Sequence, residues 1–144
     1  MRTLSLFLKI SVTFLFAVCL FLNLVTGKAW AAGQFTSTCE ALKVINDFGQ
    51  VSLSATCEKK DGSYVDTSIQ LNSYIGNNGS GLLSWDRQNL GTGCYDLAVS
   101  NDGLLNGKCF DLSKGKAQTE ETDVATSIDL DDHIANIDGQ LKYE

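Results

Sequence analysis

The chain contains its own copy. Thr67, Ser68, Ile69, Leu71, Ile75 and Asn77 recur, in the same order and spacing, as Thr126, Ser127, Ile128, Leu130, Ile134 and Asn136. Each copy runs on to a matching end, Leu83, Ser84 and Trp85 in the first and Leu141, Lys142 and Tyr143 in the second. Each is also preceded by its own pair of cysteines. A tandem duplication restricts the fold to two pseudo-equivalent halves, and any function must be sought in paired sites. Repeat one covers about 33–85 and repeat two about 86–144.

The residues before the first repeat follow other rules. Arg2 and Lys9 flank or interrupt an apolar run from Leu4 to Leu22, and Ala29, Trp30 and Ala31 put small residues where a signal peptidase reads them. Residues 1–31 are therefore expected to be a cleaved secretory signal, and residues 32–144 a single domain, secreted or periplasmic. A membrane anchor is the competing reading, because the run approaches the roughly 20 residues needed to span a bilayer. The small-residue site just before a change in composition favours cleavage. Val18 before Cys19 is a poor match to the small residue that a lipoprotein signal requires.

Loss of the leader removes Arg2, Lys9 and Lys28 and no acidic residue, which takes the net charge from −6 to −9 (−6 − 3). An acidic chain with scattered lysines repels phosphate backbones, so nucleic acid is not an expected partner. Anionic membrane surfaces are disfavoured for the same reason. About 112 residues remain, a size at which a core gains from covalent help. Cys39, Cys57, Cys94 and Cys109 are the cysteines left. An even number in an exported chain implies disulfides, and four cysteines allow three connectivities. If each copy closes its own loop, the pairs are Cys39–Cys57 and Cys94–Cys109. A zinc site finds no Cys-x-x-Cys spacing and only His133 as an imidazole, so neither a metal nor another cofactor is expected.

Local patterns are those of strands and turns. Val51, Leu53, Ala55 and Cys57 alternate with Ser52, Ser54 and Thr56, the period of a half-buried strand. Asp61-Gly62 after the charged Glu58, Lys59 and Lys60 reads as a hairpin, with extended chain resuming at Tyr64. Leu97 to Ser100, then Asn101, Asp102 and Gly103, then Leu104 and Leu105, predicts another hairpin, with Asn106-Gly107 as a competing turn. Leu71 to Ile75 and Leu130 to Ile134 carry apolar residues at i and i+4 and predict single helical turns. There is no proline, so glycine, asparagine and aspartate must shape the loops. Lys114 to Asp123 is the one polar stretch and reads as an exposed loop with solvated charges.

Gly33 to Cys39, Ser54 to Glu58, Ser68 to Asn72 and above all the closing segment Leu130 to Glu144 closely resemble the cyanovirin-N family. The resemblance spans the whole chain after the leader, and it implies an all-β fold of two pseudo-symmetric halves in which strands are exchanged between the repeats. It further implies a lectin for terminal α1,2-linked mannose of high-mannose oligosaccharides and glycoproteins, independent of metal, as a monomer or a domain-swapped dimer. The family's first site, carried over, falls on Gly33, Gln34, Ser37, Thr38, Glu58, Lys60, Asn136, Ile137 and Asp138, with departures from the family pattern at Gln34, Ser37 and Lys60. Glu58 and Asp138 would accept from sugar hydroxyls, and Asn136, Thr38 and main-chain groups would donate or accept. The second site falls on Gly76, Asn77, Asn78, Gly79, Ser80, Gln88, Asn89, Thr92, Gly93, Phe110, Asp111 and Leu112. There the family's charged side chains are replaced by Gly76, Ser80, Thr92, Phe110 and Leu112, and the loop after Cys109 is longer, with Lys114 and Lys116 as possible new contacts. The second site is thus expected to be degenerate. Asn78, Gly79 and Ser80 also form an N-glycosylation triplet.

Plainer readings stand beside these. Asn136 and Asp138 suit a turn ahead of Gly139 whatever the function. Lys59 is read as part of a charged hairpin. Trp85 and Tyr143, equivalent in the two copies, are expected in the core and not as platforms for sugar. An enzyme is disfavoured: His133 has Tyr74 as its repeat partner and reads as structural, and no nucleophile–base set can be assembled. Asp131, Asp132 and Asp138 could supply the acid pair of a glycosidase, but nothing fixes their separation. The remaining alternative is a secreted, disulfide-stapled module that binds or inhibits proteins.

Overall fold

A computed structural model describes residues 33–114 and 123–144. The expected leader, and Lys116 of the long loop, lie outside the described residues. The strands are β1 (Cys39–Asp47), β2 (Gln50–Glu58), β3 (Tyr64–Gln70), β4 (Ile75–Asn77), β5 (Leu83–Trp85), β6 (Cys94–Val99), β7 (Leu104–Cys109), β8 (Val124–Asp129), β9 (Ile134–Ile137) and β10 (Gln140–Tyr143). A single helical turn, α1 (Leu90–Gly93), precedes β6.

The alternation in β2 does what its period dictates: Val51, Leu53, Ala55 and Cys57 are buried and the residues between them are not. β2 is the centre of an antiparallel sheet ordered β1-β2-β3, and β7 is the centre of its counterpart β6-β7-β8. The Asp61-Gly62 and Asn101–Gly103 turns lie where expected, closed by Lys59 N–H to Ser63 C=O (2.7 Å) and Ser100 N–H to Leu104 C=O (3.1 Å). Asn106 and Gly107 form no turn but lie inside β7. A side chain at Gly107 would meet Leu97, so this glycine admits a neighbour where a turn was the rival reading. The two short helical segments are 3₁₀ turns, Leu71–Ser73 and Leu130–Asp132, and Ile75 and Ile134 open strands immediately after them.

β1 gave no alternating signal, and its geometry explains why. The ladder with β2 slips between Glu40 and Lys43, and Ala41 adopts φ 55°. The duplicate repeats the irregularity: the β6–β7 ladder slips between Tyr95 and Ala98, with Asp96 at φ 53°. A bulge re-aims every later side chain of its strand, which erases a simple period of two.

Exchange between the repeats is visible in the pairing. Hairpin β9–β10, from repeat two, packs beside β3 of repeat one, where Leu141 N–H donates to Thr67 Oγ1 (3.3 Å). Hairpin β4–β5, from repeat one, packs beside β8 of repeat two through the equivalent bond, Leu83 N–H to Thr126 Oγ1 (3.0 Å). Half A is thus β1–β3 with β9–β10, and half B is β6–β8 with β4–β5. Both disulfides are closed within a repeat, Cys39–Cys57 and Cys94–Cys109, each joining residues directly opposite in a ladder.

One continuous core fills both halves, built from equivalent pairs: Leu53 and Leu105, Leu71 and Leu130, Ile75 and Ile134, Phe35 and Leu90, all fully buried. Beside it, aromatic residues of the exchanged hairpins meet. Tyr74 stacks on Tyr143 at 4.3 Å between ring centroids, and Trp85 meets His133 edge-on at 4.8 Å. His133 Nδ1 also pairs with Glu144 C=O (2.8 Å). Trp85, Tyr143 and His133 therefore have structural partners, as their repeat positions suggested. Burial, and then the Asp86 carboxylate beside it, push the Tyr143 hydroxyl above the usual phenol range.

Because each hairpin completes the other repeat's half, a peptide of residues 33–85 should show no dispersed amide NMR spectrum. Mixing it with residues 86–144 should restore one, and native dispersion of 33–85 alone would contradict the exchange.

Candidate carbohydrate-binding site

The end of half A gathers most of the first set of residues. Cys57 sits in the β1–β2 ladder, so the chain leaving β2 at Glu58 passes beside Thr38, and Glu58 N–H donates to Thr38 C=O (2.8 Å). The β9–β10 turn arrives from the other repeat. Asp138 and Gly139 take φ 55° and 83°, the left-handed pair that a two-residue hairpin turn requires and that Asp-Gly adopts readily. The turn is pinned by Asn136, which is only 4% exposed. Its Nδ2 donates to Glu58 C=O (2.8 Å) and Thr38 Oγ1 (3.0 Å), and its Oδ1 accepts from Gly139 N–H (2.8 Å).

Both amide protons of Asn136 are engaged within the protein and its oxygen accepts from Gly139 N–H, so its side chain holds the hairpin turn against the strand end. Asp138 is different: it is exposed, and its Oδ1 accepts from Lys60 N–H (3.0 Å) while its Oδ2 has no partner among the described residues. Glu58 is half-buried beside it and Lys60 is exposed. The Lys59–Ser63 loop is stiffened by Asp61, which accepts from Ser63 N–H (3.0 Å) and Ser63 Oγ (2.6 Å). Those bonds hold the Asp61 carboxyl below the usual carboxylate range. Ile137 is half-buried on β9, opposite Gln140.

The remaining members of the first set face another way. Gly33 is buried, and a Cβ there would fall 2.2 Å from Asp131 C=O. Gln34 N–H donates to that same oxygen (3.1 Å), and Ser37 Oγ donates back to Gln34 C=O (2.9 Å). Gln34 and Ser37 line a recess of about 420 Å³ with Thr36, Asn101, Asp129, Asp131 and Asp132. Asp131, unremarked in the sequence as a positioning residue, accepts from Thr36 N–H (3.1 Å) and from the Thr36 hydroxyl. Its repeat equivalent Asn72 plays the same part in half B, accepting from Gly91 N–H (3.3 Å), and that equivalence was the available signal.

Half B assembles the second set but turns its groups on one another. Asn77, also 4% exposed, donates to Phe110 C=O (2.7 Å) and Gly93 C=O (3.3 Å) and accepts from Gly79 N–H (2.8 Å) and Gly81 N–H (3.2 Å). Asn89 Oδ1 accepts from Asn77 N–H (2.8 Å), and a Cβ at Gly76 would fall 2.0 Å from that oxygen. Asn78 Oδ1 closes its own turn by accepting from Ser80 N–H (2.9 Å). Where half A uses the Asp138 carboxylate to hold Lys60 N–H, half B uses main chain, Leu112 N–H to Gly79 C=O (3.0 Å), with a further bridge between Ser80 and Asp111. The longer turn is thereby drawn against the strand end. Asp111 is buried and accepts from Ser113 N–H (3.0 Å). Gln88 and Thr92 remain exposed. Asp123, read as a solvated loop charge, instead accepts from the Tyr95 hydroxyl (2.5 Å).

Two exchanged hairpins, each clamped by a buried asparagine onto the sheet of the other repeat, define a duplicated, disulfide-linked β protein with polar groups gathered at the end of one half. The CVNH domain matches residues 35–142, and the chain belongs to that family of carbohydrate-binding lectins. Among solved structures it resembles NcCVNH of N. crassa (TM-score 0.62, 21% identity, covering 74% of this chain and 95% of that one) and TbCVNH of T. borchii (0.61, 23%, 76% and 98%). It also resembles microvirin in a complex with mannobiose (0.58, 28%, 78% and 99%).

Replacing Asn136 by Ala should lower stability by roughly 3 kcal/mol, since buried groups left unpaired cost about 1–3 kcal/mol each. Asn77→Ala should behave alike, whereas Asp138→Asn should leave the urea midpoint nearly unchanged. Equal midpoints for all three variants would contradict the clamp.

Proposed function

We propose that the cleft of half A binds terminal α1,2-linked mannose of high-mannose glycans without a metal ion, in a chain exported after cleavage near Ala31. The observation that carries this reading is the Asp138 carboxylate, fixed at one oxygen by Lys60 N–H and open at the other, beside Glu58 on a wall pinned by Asn136. Neighbouring sugar hydroxyls each donate and accept, and a carboxylate held in place accepts from them with no ordering left to do on binding. The exposed Lys60 side chain supplies a donor on the same side. Microvirin's complex with mannobiose supports the choice of ligand. Half B, whose corresponding groups bond to one another, binds weakly or not at all.

Calorimetry with α1,2-mannobiose tests this on a verified monomer. One site per chain is expected, and Asp138→Ala should weaken it by about 1.5–3 kcal/mol, the range for a hydrogen bond to a charged group. Binding by Asp138→Ala equal to the parent's, or two sites of equal affinity, would overturn the assignment. Export is tested by N-terminal sequencing of the protein recovered outside the cytoplasm; a retained Met1 would refute cleavage.

A further inference from the structure

Glycine follows an Asp or Asn at five places: Asp61-Gly62, Asn78-Gly79, Asp102-Gly103, Asn106-Gly107 and Asp138-Gly139. At such steps the glycine nitrogen is little shielded and can attack the side-chain carbonyl carbon of the residue before it, an intramolecular reaction whose partners the chain itself holds together. A carboxylate resists the attack because it already carries negative charge, whereas a neutral amide does not. At neutral pH this leaves Asn78 and Asn106, the same dipeptide in two settings.

The settings differ in what ring closure must break. Asn106 lies within β7, opposite Ala98 on one side and Ser127 on the other, and Gly107 is paired with Thr126. Its Nδ2, the group that would leave, donates to Leu104 C=O (3.1 Å). Closure there requires the strand to leave its extended form and the ladder to open. Asn78 is exposed in the turn between β4 and β5, its Nδ2 has no partner among the described residues, and a Cβ at Gly79 would meet nothing within 4 Å. Asn78 Oδ1 accepts from Ser80 N–H (2.9 Å) and Leu82 N–H (3.3 Å). Negative charge gathers on that oxygen when the carbonyl is attacked, and two main-chain donors already in place stabilise it. One contact opposes the reaction: Gly79 N–H donates to Asn77 Oδ1 (2.8 Å), and this bond must open before the nitrogen loses its proton.

We propose that Asn78 is a site of spontaneous deamidation in the folded protein and that Asn77 is the brake on it. Gly79 N bonds to Asn78 Cγ, the Cγ–Nδ2 bond breaks, and the proton from Gly79 N leaves with Nδ2 as ammonia. Water then opens the cyclic imide at either carbonyl, giving aspartate or isoaspartate and releasing a proton. The product puts a carboxylate into the half B turn, which otherwise holds none from Asn78 to Leu82. The chain therefore passes with age into a more acidic form, altered at the end of half B.

The test incubates the intact protein, made in a host that does not N-glycosylate, at neutral pH and samples it over weeks by peptide mass spectrometry, which reads conversion of amide to acid at each asparagine. Asn78 should convert about ten-fold or more faster than Asn106, because roughly each 1.4 kcal/mol of structure to be opened slows a step ten-fold. A urea-unfolded sample, in which both steps are open, should convert at both positions at similar rates. Asn77→Ala should speed Asn78 roughly three- to ten-fold, the worth of one hydrogen bond, without changing Asn106. Asn106 also checks the fold of that variant, since a loosened chain opens both steps alike. Equal rates in the folded parent, or an unchanged Asn78 where the unfolded chain reacts, overturn the site. If Asn77→Ala leaves Asn78 at the parent rate, or speeds both positions equally, Asn77 is no brake.

Discussion

The buried amide of Asn136, with its equivalent at Asn77, is the interaction on which the architecture turns. Each repeat carries a hairpin that it cannot use and a sheet whose end it cannot complete. A primary amide presents two donors and an acceptor in one plane, so one side chain can pair with two oxygens of the other repeat and with its own hairpin N–H. Aspartate has no donor to offer, and a hydroxyl has only one. At 4% exposure water cannot replace these bonds, so the hairpin has one position relative to the strand end. The disulfide next to Glu58 fixes the other wall, and the aromatic contacts of Tyr74, Trp85, His133 and Tyr143 join the two exchanged hairpins.

Two copies of one design that share a core also show which features are structural. Features present in both halves serve the fold: the asparagine clamp, the bulges at Ala41 and Asp96, the threonine that receives each exchanged strand. Features confined to one half are free to serve something else. Half A alone has a turn held off the strand end by a side chain, with a carboxylate left facing solvent. Half B bridges the same interval with main chain, which brings Gly79 and Leu112 within a peptide hydrogen bond and turns the polar groups inward. The asymmetry follows from the exchange of a carboxylate for glycine and serine in a turn one residue longer.

How much of this is legible in the sequence depends on how local each signal is. The β2 alternation, the Asp61-Gly62 turn and the helical turns after Ile69 and Ile128 are set by neighbours a few residues apart, and they lie where the pattern puts them. β1 is hidden, and β6 is legible only from Leu97 on, because one left-handed residue in each breaks the period. The gathering of Thr38, Glu58, Lys60 and Asp138 rests on family resemblance, since no local pattern brings residues so far apart in the chain together. The structural part of Asn136 is not legible locally either, because its bonds go to Thr38 and Glu58, far away in the chain.

Asp138 shows why chemistry collects at the hairpin turn. A positive φ is unfavourable for most side chains, and aspartate tolerates it because its short carboxylate can bond to nearby main chain. Here the bond goes to Lys60 N–H instead, so the residue that permits the turn also ties it to the loop after β2. The conformation that the hairpin demands aims the carboxylate outward, and the bond at Oδ1 removes the freedom to rotate away. A glycine would meet the backbone requirement at least as well. It would leave the side-chain acceptor missing, as in half B, where Gly79 is tied to Leu112 through main chain instead. The tie to Lys60, and not the turn alone, therefore calls for a carboxylate here.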